Sequence, residues 1–131
     1  MSLKTFIIDG NNFSDLQSFY NEVVNVLTKD FADKFGRNMN AFDDILMGGF
    51  SKFEYQEAIT LIWKNVEKSK IDLGWPETIK YIEDKLKKCH PSNIKSVEND
   101  LKLAKEGKGQ TLFEIIVDRI KKQKHIQFIV Q

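Results

Sequence analysis

Two adjacent carboxylates, Asp43 and Asp44, are the residues of this sequence best suited to recognising charge. They follow Gly36, which favours a turn, and Asn38, whose side-chain oxygen can accept a hydrogen bond from a free amide of the first helical turn. Helical spacing then places four apolar residues on a face that should enter a core: Met39, Phe42, Ile45 and Leu46. The opposite face is predicted to carry mainly Asn40, Asp43, Asp44 and Met47.

The chemistry predicted for this short acidic helix is recognition of a partner. An anionic helix near solvent can complement a cationic pocket of another protein. The alternative is that Asp43 and Asp44 are solvated surface charges, which is the commonest role of carboxylates on a helix. From this segment alone, the alternative is favoured.

Residues that could support catalysis or metal binding are sparse. His90 and His125 are far apart and have no ligand partner at metal-binding spacing, and no acid or histidine is placed to activate Cys89 in a recognisable motif. The segment 107–111 differs from a phosphate-binding loop, because its lysine does not directly precede Ser or Thr and a helix is predicted before it. We therefore expect a protein that is not an enzyme, with no catalytic residues, no metal and no cofactor.

Composition sets broad limits on the class of protein. The chain has 131 residues, 41% of them hydrophobic, and a formal net charge of +1, as expected for a single domain over residues 1–131. Residues 1–63 carry a net charge of −4 and residues 64–131 a net charge of +5. The mixed lysine-rich stretch at 80–88 does not favour direct binding of nucleic acid. Cys89 is the single cysteine, and neither a signal peptide nor a membrane span is recognisable, so we expect a cytoplasmic protein.

Hydrophobic periodicity predicts alternating strands and helices. Strands are expected at 5–9, 58–64 and 125–130. Helices are expected at 15–28 with Ser14 as N-cap, from about 38 to 47, and at 66–71, 76–88, 94–106 and 111–123. Strands separated by helical crossovers indicate an α/β fold, with a mostly parallel three-stranded sheet packed against helices. The oligomeric state is left open.

A family resemblance adds to this interpretation. The segment 35–46 reads Phe-Gly-Arg-Asn-Met-Asn-Ala-Phe-Asp-Asp-Ile-Leu. It is similar to the Tyr-Gly-x-Asn-Leu-Asp-Ala-Leu-x-Asp-x-Leu motif of the barstar family, which comprises intracellular inhibitors of barnase-type ribonucleases. Residues 61–70 resemble the family's second strand and the helix after it, residues 113–130 its last helix and strand, and residues 5–10 its first strand. The resemblance covers most of 4–73 and 109–131.

The resemblance implies that the acidic helix and its preceding loop enter the active site of a ribonuclease. Asp44 would be the central anionic contact, and Asp118 would match a peripheral glutamate. The sequence departs from the pattern at Asn40, where an acid is common, and at Lys34, Asp43 and Gly49, where aromatic contact residues are found. The partner-binding residues implied are Lys34, Phe35, Gly36, Asn38, Asn40, Asp43, Asp44, Met47 and Asp118.

Residues 74–108 have no counterpart in the compact members that the chain resembles. They carry 8 Lys/Arg and 6 Asp/Glu, and their periodicity predicts an inserted helical hairpin. A structural role for this hairpin is favoured over binding of a second partner, because exposed apolar stripes normally pack within the chain. The function expected is an immunity-type inhibitor of a ribonuclease or other cationic protein. The alternative is a module of the same fold that binds a partner other than a nuclease.

Overall fold

The computed structural model describes residues 3–29 and 36–131. Its strands are β1 (Lys4–Asp9), β2 (Ile59–Lys64) and β3 (Ile126–Val130). The helices in this part of the chain are α1 (Leu16–Leu27), α2 (Met39–Met47), α3 (Val66–Asp72), α4 (Trp75–Lys88), α5 (Ile94–Lys105) and α6 (Leu112–Lys122). Single 3-10 turns at Gly10–Asn12 and Pro91–Asn93 follow β1 and precede α5. These elements agree with those that periodicity predicted.

The three strands form one parallel sheet in the order β1-β2-β3. Ile7, Ile62 and Ile129 lie in register across it, so the central strand is paired on both edges. Alternate residues of β2 (Ile59, Leu61 and Trp63) are fully buried. The predicted α/β fold with a parallel three-stranded sheet is therefore confirmed.

Aromatic rings join the helices to the central strand. Trp63 is fully buried, and its ring lies 5.5 Å from that of Phe19 on α1 and 5.2 Å from that of Phe113 on α6. Phe19 in turn contacts Phe42 of α2, with ring centroids 5.5 Å apart. Offset and edge-to-face ring contacts add to the free energy gained by burial alone. The ring cluster thus fixes α1, α2 and α6 to one face of the sheet.

Residues 74–108 form a helical hairpin of α4 and α5, as predicted. Its tie to the rest of the chain runs through Thr78, which is buried. The Thr78 hydroxyl donates to the carbonyl oxygen of Gly74 at 2.7 Å and accepts from the amide of Leu112 at 2.8 Å, which joins α4 to the start of α6. This contact suits the structural role favoured from the sequence. That the hairpin is an insertion in a single domain stays a prediction.

The start of α1 differs from the sequence-based expectation. Its N-cap is Asp15, not Ser14. Asp15 accepts from the amide of Ser18 at 2.8 Å, and the Ser18 hydroxyl accepts from the amide of Asp15 at 3.1 Å. Both candidate caps are short polar residues, so local propensity does not separate them. The reciprocal pair with Ser18 satisfies two amides at once and selects Asp15.

This assignment predicts different effects of two neighbouring substitutions. We expect Asp15→Ala to lower the free energy of unfolding by about 1 kcal/mol, because the first turn of α1 loses its cap. Ser14→Ala is the matched control and should be nearly neutral, because the Ser14 side chain does not cap the helix. Urea unfolding followed by circular dichroism measures both. A larger loss for Ser14→Ala would show that the cap is assigned to the wrong residue.

The same cap predicts a pH dependence. Hydrogen bonds from Ser18 hold the pKa of the Asp15 carboxyl below its usual range. A carboxylate with a lowered folded-state pKa stabilises the fold above its unfolded-state pKa, and this contribution is lost as the pH falls through the folded-state pKa. We therefore expect the penalty of Asp15→Ala to be full at about pH 7 and to shrink below about pH 4. An equal penalty at about pH 2.5 and pH 7 would contradict the role of the ionised carboxylate.

Candidate functional site

The helix α2 is anchored through one face and both ends. The Asn38 side chain accepts from the amide of Ala41 at 2.8 Å, which confirms the predicted N-cap. At the other end, Gly48 has φ +86°, a backbone conformation that favours glycine, and Nε2 of His125 lies 2.8 Å from the carbonyl oxygen of Leu46. The predicted core face is buried: Met39, Phe42, Ile45 and Leu46. The remaining face of α2 carries the exposed residues Asn40 and Asp44.

Asp44 is the exposed carboxylate at the centre of this remaining face. Among the residues that the structure describes, it forms neither a hydrogen bond nor an ion pair. Asn40, one turn earlier, is also exposed. An exposed carboxylate on an anchored helix can meet a cation without first giving up an intramolecular partner.

Asp43 differs from its neighbour. It is about one-third exposed and forms an ion pair with Arg119 of α6, whose side chain is exposed to a similar extent. Asp43 is therefore already paired within the chain, whereas Asp44 has no such partner among the described residues, and the role of Asp43 as a partner contact stays a prediction. Sequence reasoning missed Arg119, which lies 76 residues away along the chain. The available signal was its position next to Asp118, which the family resemblance implied to be a peripheral contact.

A groove between α2 and α6 brings together three of the predicted residues: Asp43, Met47 and Asp118. Its volume is about 450 Å³. Asp118 is exposed and accepts from the side-chain amide of Gln110 at 2.6 Å. Arg119 and Lys122 also line the groove, so its two carboxylates face two cations. Two carboxylates and two cations give the groove a formal net charge of zero.

The other predicted residues lie towards the start of α2. Gly36 and Asn38 are exposed and precede the helix, so the loop and cap flank its N-terminal end as expected. Lys34 and Phe35 lie outside the described residues, and their contact role stays a prediction. A second cleft, of about 660 Å³, opens at this end between α1, α2 and α4. The sequence did not reveal it, because its walls come from three separate segments.

Residues considered for chemistry have structural partners. Nδ1 of His90 accepts from the amide of Ser92 at 3.1 Å at the turn before α5. Cys89 is half-buried at the end of α4, and its Sγ lies 3.6 Å from the carbonyl oxygen of Leu86. Within residues 3–29 and 36–131, no group of three or more His, Cys, Asp or Glu side chains is arranged to hold a metal ion.

No helix of the described segments is both long enough and apolar enough to cross a bilayer.

Comparison with known proteins gives one result. Searches found no similar protein among curated proteins and none among solved structures. The family model described as "Barstar (barnase inhibitor)" matches residues 3–95, from β1 to the start of α5. The match includes α2 and its preceding loop, whereas Asp118 on α6 lies beyond it. Because the matched residues make up most of the 131-residue chain, the chain belongs to the barstar family.

Proposed function

We propose that this chain inhibits a ribonuclease by placing the exposed face of α2 in the cationic active site of the enzyme. The single observation that carries the proposal is Asp44, which lies on an anchored helix of a barstar-family chain, is exposed, and makes no ion pair with any residue that the structure describes. As an immunity-type inhibitor, it would act in the cytoplasm.

The proposed mechanism is electrostatic mimicry of the substrate. A ribonuclease must hold phosphate groups, so its active site is lined by cations. A carboxylate presented there occupies the place of a phosphate and pairs with the same cations, and complementary charge also raises the rate of association. The inhibitor needs no catalytic residue of its own.

Rigid presentation is what makes one carboxylate effective. Phe42 is held against Phe19 in the ring cluster, and the His125 contact holds the C-terminal end of α2. The backbone that carries Asp44 is therefore ordered before the partner arrives. Preorganisation reduces the entropy lost on binding, so more of the interaction energy contributes to affinity.

Asp43 and Asp118 have a secondary role in this proposal. Each already accepts a hydrogen bond, from Arg119 and Gln110 respectively. Pairing either one with a cation of the partner would require breaking or sharing that contact, which offsets part of the gain. Asp44 is therefore proposed as the central contact, and Asp118 as a contact at the rim.

The alternative is a barstar-family module whose partner is not a nuclease. The observation that favours it is the mixed charge of the α2–α6 groove, where Arg119 and Lys122 accompany the carboxylates. Complete inhibition of RNA cleavage at equimolar ratio would support the inhibitor. Formation of a complex through α2 without inhibition would support the alternative.

We expect Asp44→Asn to weaken the complex far more than Asp118→Asn. Removing one member of a desolvated charge pair usually costs about 2 kcal/mol or more, whereas an exposed rim pair contributes about 1 kcal/mol or less. Titration calorimetry would use barnase and any secreted ribonuclease encoded beside this gene. Both substitutions remove one negative charge, so the Asp118 variant controls for net charge. Equal losses would contradict the proposed docking.

We expect Arg119→Gln to accelerate association with the same ribonuclease severalfold, because it releases Asp43 and increases the negative potential around α2. Lys122→Gln is the matched control, since it removes one positive charge from the same groove without releasing Asp43. Stopped-flow association rates at several salt concentrations would measure the difference. Equal acceleration by both variants would show that the Asp43–Arg119 pair has no specific effect on association.

A further inference from the structure

The cleft at the N-terminal end of α2 has a volume of about 660 Å³. One wall is the start of α2, another is α1, and the third is α4 of the hairpin. Such a volume lies within the range of sites that accept a small ligand or a few side chains of a partner. Its polar lining is chiefly Arg37, Asn38, Asn40, Glu77, Lys80, Asp84, Lys85 and Lys88.

The charge of this cleft is opposite to that of Asp44. Four cations line it against two carboxylates, Glu77 and Asp84. Both carboxylates already have partners, because Glu77 accepts from the amide of Leu16 at 2.8 Å and Asp84 accepts from Nζ of Lys88 at 3.0 Å. Lys88 offsets the charge of Asp84, whereas Glu77 keeps its charge because its partner is a neutral amide, so the lining has a formal net charge of +2.

Two lysines of α4 supply most of the available positive charge. Lys80 and Lys85 are exposed, and neither forms an ion pair with the residues that the structure describes. Lys80 is near Asp15. The pKa of the Asp15 carboxyl is lowered mainly by hydrogen bonds from Ser18 and further by the charge of Lys80. Tyr81, which is half-buried, adds ring surface to the same cleft. It thus combines ammonium groups with aromatic surface.

We propose that this cleft binds an acidic segment on the rim of the same protein whose cationic site α2 covers. The inference rests on the proposed function and adds a selection rule. The cationic centre of the preferred partner would meet Asp44, and the carboxylates that border this centre would meet the α4 lysines.

Continuity with the proposed contact surface supports a shared partner. Asn38 and Asn40 are predicted contact residues of α2, and they also line the cleft. A protein placed over the N-terminal half of α2 would therefore meet α4 as well. Complementary charges on both walls stabilise one orientation, and a partner that is cationic throughout would be repelled by the lysines.

The lining favours a protein segment over RNA. Glu77 and Asp84 would repel a continuous run of phosphates, whereas a few carboxylate side chains can be spaced to avoid them. Aromatic surface from Tyr81 also suits a mixed acidic and apolar peptide. Binding of RNA and self-association of the chain are the competing possibilities that the experiment distinguishes.

The test uses the full chain and a fluorescein-labelled hexaglutamate peptide with one phenylalanine at each end. Fluorescence anisotropy at low salt would compare the parent with Lys80→Glu/Lys85→Glu. We expect the double substitution to weaken peptide binding about tenfold or more, a change of about 1.4 kcal/mol. Lys102→Glu/Lys105→Glu on α5 is the matched control, because it changes the net charge equally outside this cleft, and it should weaken binding less than about twofold.

Four results would overturn the inference. They are no binding of the peptide, equal weakening by both double substitutions, tighter binding of a labelled single-stranded RNA that requires Lys80 and Lys85, and self-association of the chain that requires them. Circular dichroism and urea unfolding would check that each variant folds. If Asp44→Asn abolishes inhibition while the peptide fails to bind, only this inference fails. If the peptide binds as expected while Asp44→Asn has no effect on inhibition, only the proposed function fails.

Discussion

The burial of Trp63 is the constraint on which the rest of the structure depends. This side chain lies near the carboxyl end of β2, where it contacts rings of Phe13, Phe19, Phe113 and Phe128. A buried indole must also satisfy its N–H, and the hydroxyl of Ser69 on α3 accepts it at 2.9 Å. Trp63 thus connects the central strand to α1, which precedes β2 in the sequence, and to α3 and α6, which follow it. Since Phe19 also contacts Phe42, the position of the candidate site depends on the same cluster.

The turn after β1 is a second constraint on the fold. Gly10 is buried so closely that an added Cβ would lie 2.6 Å from Oγ of Ser69, the acceptor of the Trp63 indole. Nζ of Lys68 donates to the carbonyl oxygens of Gly10 and Phe13 at 3.1 and 2.6 Å, so it satisfies backbone acceptors that the turn leaves unpaired. The first crossover therefore leaves the sheet in a fixed direction. The ring cluster and this turn together hold α1, which lines the cleft at the N-terminal end of α2.

The sequence predicted local features well and distant pairs poorly. The strands and α2 follow from hydrophobic periodicity. The Asn38 cap follows from a side chain that bonds within its own turn. Both signals lie within a few residues of the sequence. Asp15 was missed as a cap because two neighbouring residues satisfy the same local rule. The Asp43–Arg119 pair was missed because periodicity describes faces and not which charges meet across them. The cleft beside α4 likewise could not be predicted, because it depends on the angle at which the hairpin docks. No local sequence pattern specifies that angle.

The pairing of Asp43 changes how the family resemblance should be used. A motif match transfers residue types, but the availability of a carboxylate depends on its neighbours in the folded chain. Here α6 supplies Arg119 to one of two adjacent aspartates, while the other stays exposed. The lysines of α4 add opposite charge at the far end of the same helix. Under the proposed docking, a partner of α2 must therefore match the alternation of charge along this surface and not merely the sign of Asp44.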